Sequence, residues 1–432
     1  MTFLSATRLF SFWDSLRTSF WFVPATMAGV AIALSFILGH VDAWLGAEAV
    51  RDFGWLYSFG PEGARAILST IASSMITVAG LTFSITMLTL QLASSQFGPR
   101  LLRNFMRDRG NQVVLGTFIA TFVYCLLVLR TVRGTEESHF VPHVAVAFGV
   151  LLALASIAVL IYFIHHVATS IRIETLLAQL ADETRAAIDR LYPQRMGLDP
   201  PTSAGTNSEN LIPAGLEAGV RLIRCGQSGY VQRVDVDALM KVATEHELIV
   251  RIDAAPGRFL KEGEALFAAY PQEAVSDEVA DRLRSAFVVG QERTPEQDLE
   301  FSIRRIVEIA QRALSPGVND PTTALYCIDR LGEAFSRMAE RDIPSPLRFD
   351  NMRRLRIVTE GWSLGELACP AFAAVARYGT ADADVVAKLL GAMDMVIQAA
   401  PASAAMAILE LREEIHRESQ KQAKLGYDRK AI

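Results

Sequence analysis

The chain has 432 residues, 51% of them hydrophobic and only 21% charged, with a mean hydropathy of +0.26; soluble domains are less apolar and more charged, so the composition points to a membrane protein. A formal net charge of −5 excludes the global positive field that draws in nucleic acid. The four cysteines, Cys125, Cys225, Cys327 and Cys369, form no C-x-x-C pair, which excludes a zinc knuckle or a disulfide framework.

Apolar runs able to cross about 30 Å of hydrocarbon at about 1.5 Å per residue occur four times: Phe20 to His40, Ile67 to Leu92, Val113 to Val132 and Val141 to Ile164. The first lacks a small-residue cleavage site and is read as a retained span. Arg8 and Arg17 precede it, and Arg100, Arg103, Arg107 and Arg109 crowd the loop after the second run, whereas the other loops mix arginines with acids. Both termini are therefore expected in the cytoplasm.

The expected order is a four-span membrane domain (1–166), a helix continuing from the fourth span (167–192), a flexible connector (193–215), a small β-barrel or sandwich-like module (216–272) and a helical cytoplasmic domain (273–432). In "RIETLLAQLADETRAAIDRLYP", Ile173, Leu177, Leu180, Ile188 and Leu191 form an apolar stripe that needs a partner, such as another subunit. "DPPTSAGTNSEN" has linker composition. Short strand patterns follow, with Pro256-Gly257 and Glu262-Gly263 placed where hairpins would reverse. The rest has helical periodicity over Asp298 to Leu314, Pro321 to Glu340, Met352 to Glu360, Leu364 to Tyr378, Ala381 to Ala399 and Ala402 to Gln422.

The second span, "SSMITVAGLTFSITMLTLQLASSQFGPR", carries no charge before its final arginine yet is rich in hydroxyl groups. Thr70, Ser73, Thr77, Ser84, Gln91 and Ser95 follow one another at spacings of 3, 4, 7, 7 and 4 residues, which at about 100° per residue places them within about 60° on one helix face. Leu81 and Leu88 interrupt this stripe, Gly80 borders it, and Thr82, Thr86 and Thr89 lie roughly opposite. Two readings stay open. Hydroxyls can return to a carbonyl one turn earlier while small residues let helices pack closely. Alternatively, copies of the helix surround an aqueous path, with polar groups replacing water around an ion and the leucines gating by dewetting.

Arg100, Arg103 and Arg107 share one face of a short interfacial stretch, as a contact to lipid phosphates or a basic ring at a pore mouth. In "ALSPGVNDPTTALYCIDRL", Asp320-Pro321 starts a helix after a turn at Ser315-Pro316-Gly317, an αα-hairpin connection. Asn319, Asp320, Thr322 and Thr323 offer a second reading, binding of an ion or phosphate at the helix start. His165-His166 reads as an interfacial anchor or cap. No metal-ligand spacing, phosphate-binding glycine motif or nucleophile elbow is present in a fitting context, so no enzymatic activity, metal or cofactor is expected.

Taken in order, "GLTFSITMLTLQLASSQFGPRLLRNFMRDRGNQVVLGTFIATFVYCLLVLR", "FIHHV" and "EQDLEFSIRRIVEIAQRALSPGVNDPTTALYCIDRL" resemble the bacterial predicted membrane proteins grouped as domain of unknown function 2254, over nearly the entire chain. The resemblance implies an inner-membrane protein with an N-terminal four-span region and a cytoplasmic C-terminal part, and it carries over no functional residues. The expected function is a homo-oligomeric channel for small ions lined by Thr70, Ser73, Thr77, Leu81, Ser84, Leu88, Gln91 and Ser95; the alternative is a membrane-anchored scaffold or sensor without transport. Expected partners are the lipid bilayer, further copies of the chain and ions, with no nucleic acid.

Overall fold

The computed structural model describes residues 20–51, 60–97, 108–135, 138–170, 172–191, 219–341, 346–359 and 361–430. Contacts divide the chain into two compact units, Met1–Thr175 and Leu176–Ile432.

The first unit contains helices α1 (Phe22–Arg51), α2 (Pro61–Phe97), α3 (Arg109–Thr131) and α4 (His143–Ser170), with a short antiparallel hairpin, β1 (Arg133–Thr135) and β2 (Ser138–Phe140), between α3 and α4. All four helices contain a stretch long and apolar enough to cross a membrane: Phe22–Trp44, Pro61–Leu92, Arg109–Thr131 and His143–Thr169. A helix is the solution lipid demands, because every backbone N–H and C=O is then satisfied within the segment. Helix α3 is the hub, packing against each of the other three. Its inward side chains join two apolar layers: Leu68, Tyr124, Cys125 and Val128 toward the hairpin end, and Met75, Ala79, Val114, Phe118 and Phe163 toward the other.

Helix α5 (Ile173–Leu191) starts after Arg172 as a separate element rather than as a prolongation of α4. Its apolar face, including Leu176, Leu177, Leu180 and Ile188, is buried. Ion pairs fasten it to α8 (Leu299–Ala313), to α9 (Pro321–Ala339) and to Arg341 just after α9: Glu183 with Arg305 at 2.7 Å, Arg185 with Glu333, and Asp189 with Arg337 at 2.8 Å and Arg341 at 2.5 Å. The stripe expected to await another subunit is therefore satisfied within its own chain. The Arg337 guanidinium holds the Asp189 carboxyl below the ordinary carboxylate range.

The second unit also holds β3 (Arg221–Arg224), β4 (Gly229–Val234), α6 (Val236–Glu245), β5 (Ile249–Ile252), β6 (Phe259–Leu260), β7 (Ala265–Tyr270), α7 (Asp277–Ser285), β8 (Phe287–Gly290), β9 (Leu347–Phe349), β10 (Leu355–Val358), α10 (Leu364–Gly379), α11 (Ala383–Ala399) and α12 (Ala402–Lys430). The strands form a five-stranded sheet in the order β3-β7-β5-β10-β9 and a three-stranded sheet in the order β6-β4-β8. The turns at Gly257 and Gly263 join strands of different sheets instead of closing hairpins. Gly257 has a φ of +90°, and a Cβ there would lie 2.1 Å from the Asp298 carboxylate, so only glycine fits. Asp298 is itself the N-cap of α8 and receives the Arg293 guanidinium on both oxygens, at 2.6 and 2.8 Å.

The five helices α8 to α12 match the periodicity of the sequence. The helix expected over 352–360 does not form. Asp350 accepts the amides of Met352 and Arg354, both at 2.9 Å, and Arg353 turns the chain with a φ of +60°. The following residues then enter β10, parallel to β5. Burial pushes the Asp350 carboxyl upward, but those two amides and the Arg356 guanidinium at 2.8 Å hold it below its ordinary value.

Candidate functional site

Helix α2 begins with proline at its first position and Glu62 in its first turn, both suited to a helix N-terminus. Its Pro61–Leu92 stretch covers about 48 Å at 1.5 Å per residue, more than the roughly 30 Å of a hydrocarbon core. One side of it packs on α3 and α4. Ala64, Leu68, Ala72, Met75 and Ala79 are buried there, and Thr82, Thr86 and Thr89 continue that line.

The face singled out by the sequence points the other way. Thr70, Ser73, Thr77, Gly80, Leu81, Ser84, Leu88 and Gln91 are all exposed on the single chain. Leu81 and Leu88 are 60% and 57% exposed, and nothing lies within 4 Å of a Cβ built on Gly80. Ser95 lies within α2, its side chain outside the described set; Arg100, Arg103 and Arg107 lie outside the described residues altogether.

Most of these hydroxyls donate to carbonyls of their own helix. Thr70 donates to Ala66 O at 2.7 Å, Thr77 to Ser73 O at 2.8 Å and Ser84 to Gly80 O at 2.9 Å. On the buried face Thr86 and Thr89 do the same, to Thr82 O at 2.8 Å and Ile85 O at 2.9 Å. Each such hydroxyl keeps acceptor capacity on its oxygen after donating. The outward face is therefore a row of oxygens and methyls interrupted by two leucines and carrying no charge. Its chemistry suits coordination or hydration of a passing solute, or close apposition to a similar helix.

The turn around Asn319 is the connection of an αα-hairpin between α8 and α9. Asn319 has a φ of +49°, and the amides of Val318, Asn319 and Asp320 donate to Ser315 O, Ser315 O and Ala313 O at 3.0, 2.9 and 2.8 Å. The Asp320 side chain caps α9, accepting from Thr323 N at 3.1 Å and Thr323 Oγ1 at 2.6 Å, while Thr322 is exposed. A carboxylate thus occupies the helix start that an anion would use.

Three polar features inside the first unit escape sequence reasoning. Asp42, buried at the end of the first apolar run, accepts the amides of Val144 and Ala145 at 2.9 Å each and so caps α4 from another helix. Thr121 and Ser156 meet at 3.1 Å between α3 and α4. Asp108 caps α3 through Gly110 N at 2.8 Å and also meets His166 at 2.6 Å. The adjacent histidines were the visible signal for the last; a partner 58 residues earlier was not.

A model of the family described as predicted membrane protein, domain of unknown function 2254, matches residues 17–395. Uncharacterized proteins of Mycobacterium bovis and Mycobacterium tuberculosis are each 32% identical to the chain over 390 residues, which is 89% of this chain and 73% of theirs. No solved structure matches.

Proposed function

Because the chain belongs to the family of predicted membrane proteins grouped as domain of unknown function 2254, we propose that it is a homo-oligomeric channel for small ions whose aqueous path is lined by the outward face of α2. The proposal seats it in a bacterial inner membrane with both termini cytoplasmic, so that the Asp108 end of the bundle faces the cytoplasm and the second unit serves as vestibule or regulator. The observation that carries it is the placement of polar groups on α2: one side packs on the hub helix, and the hydroxyl-rich stripe is exposed on the side away from the other described helices of its unit.

A face turned outward from a membrane unit meets either lipid or another copy. Lipid gains nothing from Thr70, Ser73, Thr77, Ser84 and Gln91, whereas helices brought together around an axis would place these groups against water. Within one unit, Phe118, Phe163, Met75 and Val114 fill the interior with apolar side chains. A path therefore has to run between copies rather than through one of them. Leu81 and Leu88 then form the apolar constriction, two turns apart along the lining.

The return of hydroxyls to their own carbonyls favours a second reading, in which the stripe is a dry seam of a membrane-anchored scaffold. Current recording on the purified chain in planar bilayers separates the two. The channel reading expects discrete conductance steps and a rise in leak on Leu81→Ser or Leu88→Ser. Silence across voltage and salt type, with the oligomer intact, overturns it in favour of the scaffold.

A further inference from the structure

The helices of the second unit come to a common pole. Helix α5 runs parallel to α9, because Arg185 pairs with Glu333 and Asp189 with Arg337, so the same register sets Ile173 level with Pro321. It runs antiparallel to α8, with Glu183 on Arg305 and Arg190 donating to Glu296 O, which brings Ile173 level with the end of α8. A Cβ on Gly379 would lie 2.6 Å from Val385 Cγ1 and 3.3 Å from Leu314 Cδ1, so the end of α10 meets the start of α11 and the end of α8. Connections this short make α10, α11 and α12 alternate in direction. A Cβ on Gly365 would lie 3.8 Å from Ala407 Cβ, and Arg412 pairs with Asp394 at 2.6 Å; both registers set Lys421 of α12 level with Gly379 and Val385.

The surface of this pole combines apolar and basic groups. Val318 in the α8–α9 connection, Tyr378 in the last turn of α10 and Tyr326 in the second turn of α9 are 51%, 48% and 41% exposed. Pro316 and Ala381 are exposed with them. Two of the acids here, Asp320 and Asp382, are engaged in capping α9 and α11 through Thr323 N and Val385 N. Arg172 and Arg377 are exposed, as are Glu174 and Asp384. Helix α12 does not stop at this level: nine further residues carry it to Lys430, a projection of about 13 Å. Their sequence, "QAKLGYDRK", holds Lys424, Arg429 and Lys430 against a single acid, Asp428, so the projection is basic.

Chain continuity supplies the occupant. The fourth membrane-crossing stretch is His143–Thr169, and α5 opens at Ile173. Four residue steps reach at most about 14 Å even when fully extended, and the headgroup layer on one side of a bilayer is about 5–8 Å deep. The start of α5, and with it this pole, is thereby tethered at the lipid surface. We propose that the pole is a docking surface for anionic lipid headgroups, with Val318, Tyr326 and Tyr378 at the headgroup level and the basic end of α12 on the lipid phosphates. Tyrosine suits that depth because its ring is apolar and its hydroxyl stays wet. Each lysine or arginine near an anionic surface strengthens such a contact roughly fivefold. The proposal rests on α4 lying in a bilayer and is independent of conduction.

The test uses the full chain in nanodiscs of phosphatidylcholine alone, or of phosphatidylcholine and phosphatidylglycerol in equal parts, each with a trace of lipid bearing a nitroxide on its headgroup. A fluorophore is attached through Val318→Cys, Tyr378→Cys or, as control, Ser403→Cys at the start of α12, about 27 Å along that helix from Lys421. The unsubstituted chain gives the labelling background of its own cysteines. Stronger quenching at positions 318 and 378 than at 403, deepened by phosphatidylglycerol, is the expected result. Adding Lys424→Gln and Arg429→Gln together is expected to lower the docked fraction relative to the undocked roughly tenfold or more in anionic discs, and to change nothing in neutral ones. Equal quenching at the three positions overturns the proposal, as does quenching indifferent to lipid charge or to the paired substitutions. Disulfide bridging of Val318→Cys between copies, without quenching, assigns the pole to a second copy and also overturns it. A chain that passes no current but shows the expected quenching defeats the channel reading and leaves the docking surface standing.

Discussion

The two hydroxyl-bearing faces of α2 make nearly the same hydrogen bonds and sit in opposite surroundings. Thr86 and Thr89 are buried; Thr77 and Ser84 lie on the other face and are exposed, yet all four donate to a carbonyl of the same helix. The hydrogen bond therefore does not explain the placement. A back-bonded hydroxyl is tolerated in a dry core because its donor is satisfied. On the outer face the same group still offers an acceptor oxygen to whatever approaches. The lesson is that polarity within a membrane helix has to be read together with the neighbour it is turned toward.

A matched pair of carboxylates breaks or upholds this contrast most sharply. Thr82 is buried and Ser84 exposed, and they differ in depth by only about 3 Å. Thr82→Asp is expected to abolish recovery of folded protein, because a carboxylate in an apolar contact within the bilayer costs about 3 kcal/mol or more. Ser84→Asp is expected to fold and, if its face meets water, to shift ion selectivity toward cations. Size-exclusion profiles and reversal potentials read the two outcomes; equal yields for both variants would remove the distinction between the faces.

A bulky residue at the outward glycine gives a smaller effect and sharpens the question of what lies opposite. With nothing within 4 Å of its would-be Cβ, Gly80→Ile is expected to leave the melting temperature of the single unit unchanged. It should weaken association of copies by roughly tenfold or more, since small residues permit close helix approach in lipid. Native mass measurement in detergent reports the shift in subunit number. Smallest of all, Thr77→Val and Thr86→Val are each expected to change stability by less than about 1 kcal/mol. Only the first should alter conductance, and a conductance change from the second alone would reverse the assignment of the faces.

The second unit handles polarity by another route. Asp298 and Arg293, Asp350 and Arg356, and Asp189 with Arg337 and Arg341 use full charges to tie elements together. Asp298, Asp350 and Arg356 are buried and paired there, whereas in the first unit the described inter-element bonds rest on hydroxyls, backbone groups, the Asp42 and Asp108 carboxylates, His166 and Arg65.

Much of this organisation was legible in the sequence. The four apolar runs became four helices with ends shifted by a few residues, because length and hydropathy alone decide whether a segment suits a bilayer. Helices α8 to α12 followed from a 3.6-residue periodicity, and Asp320 was legible as the cap of α9; Asp298, Ser363 and Asp382 cap α8, α10 and α11 in the structure. The outward stripe of α2 was visible as spacing, although its direction was not. The strand over 355–358 was hidden, since its partner β5 lies about a hundred residues earlier and a local pattern carries no trace of such a pairing.

Sequence by itself determined which segments are helical, which are apolar enough for a membrane, and that the hydroxyls of α2 divide into two faces, because each of these depends on residues within one or two turns of one another. Tertiary structure alone decided which face of α2 is buried, that α5 is claimed by its own chain, and that Asp42 and Asp108 cap helices while fastening others. Those outcomes depend on contacts between residues tens to a hundred positions apart, and such contacts are set by how whole elements pack.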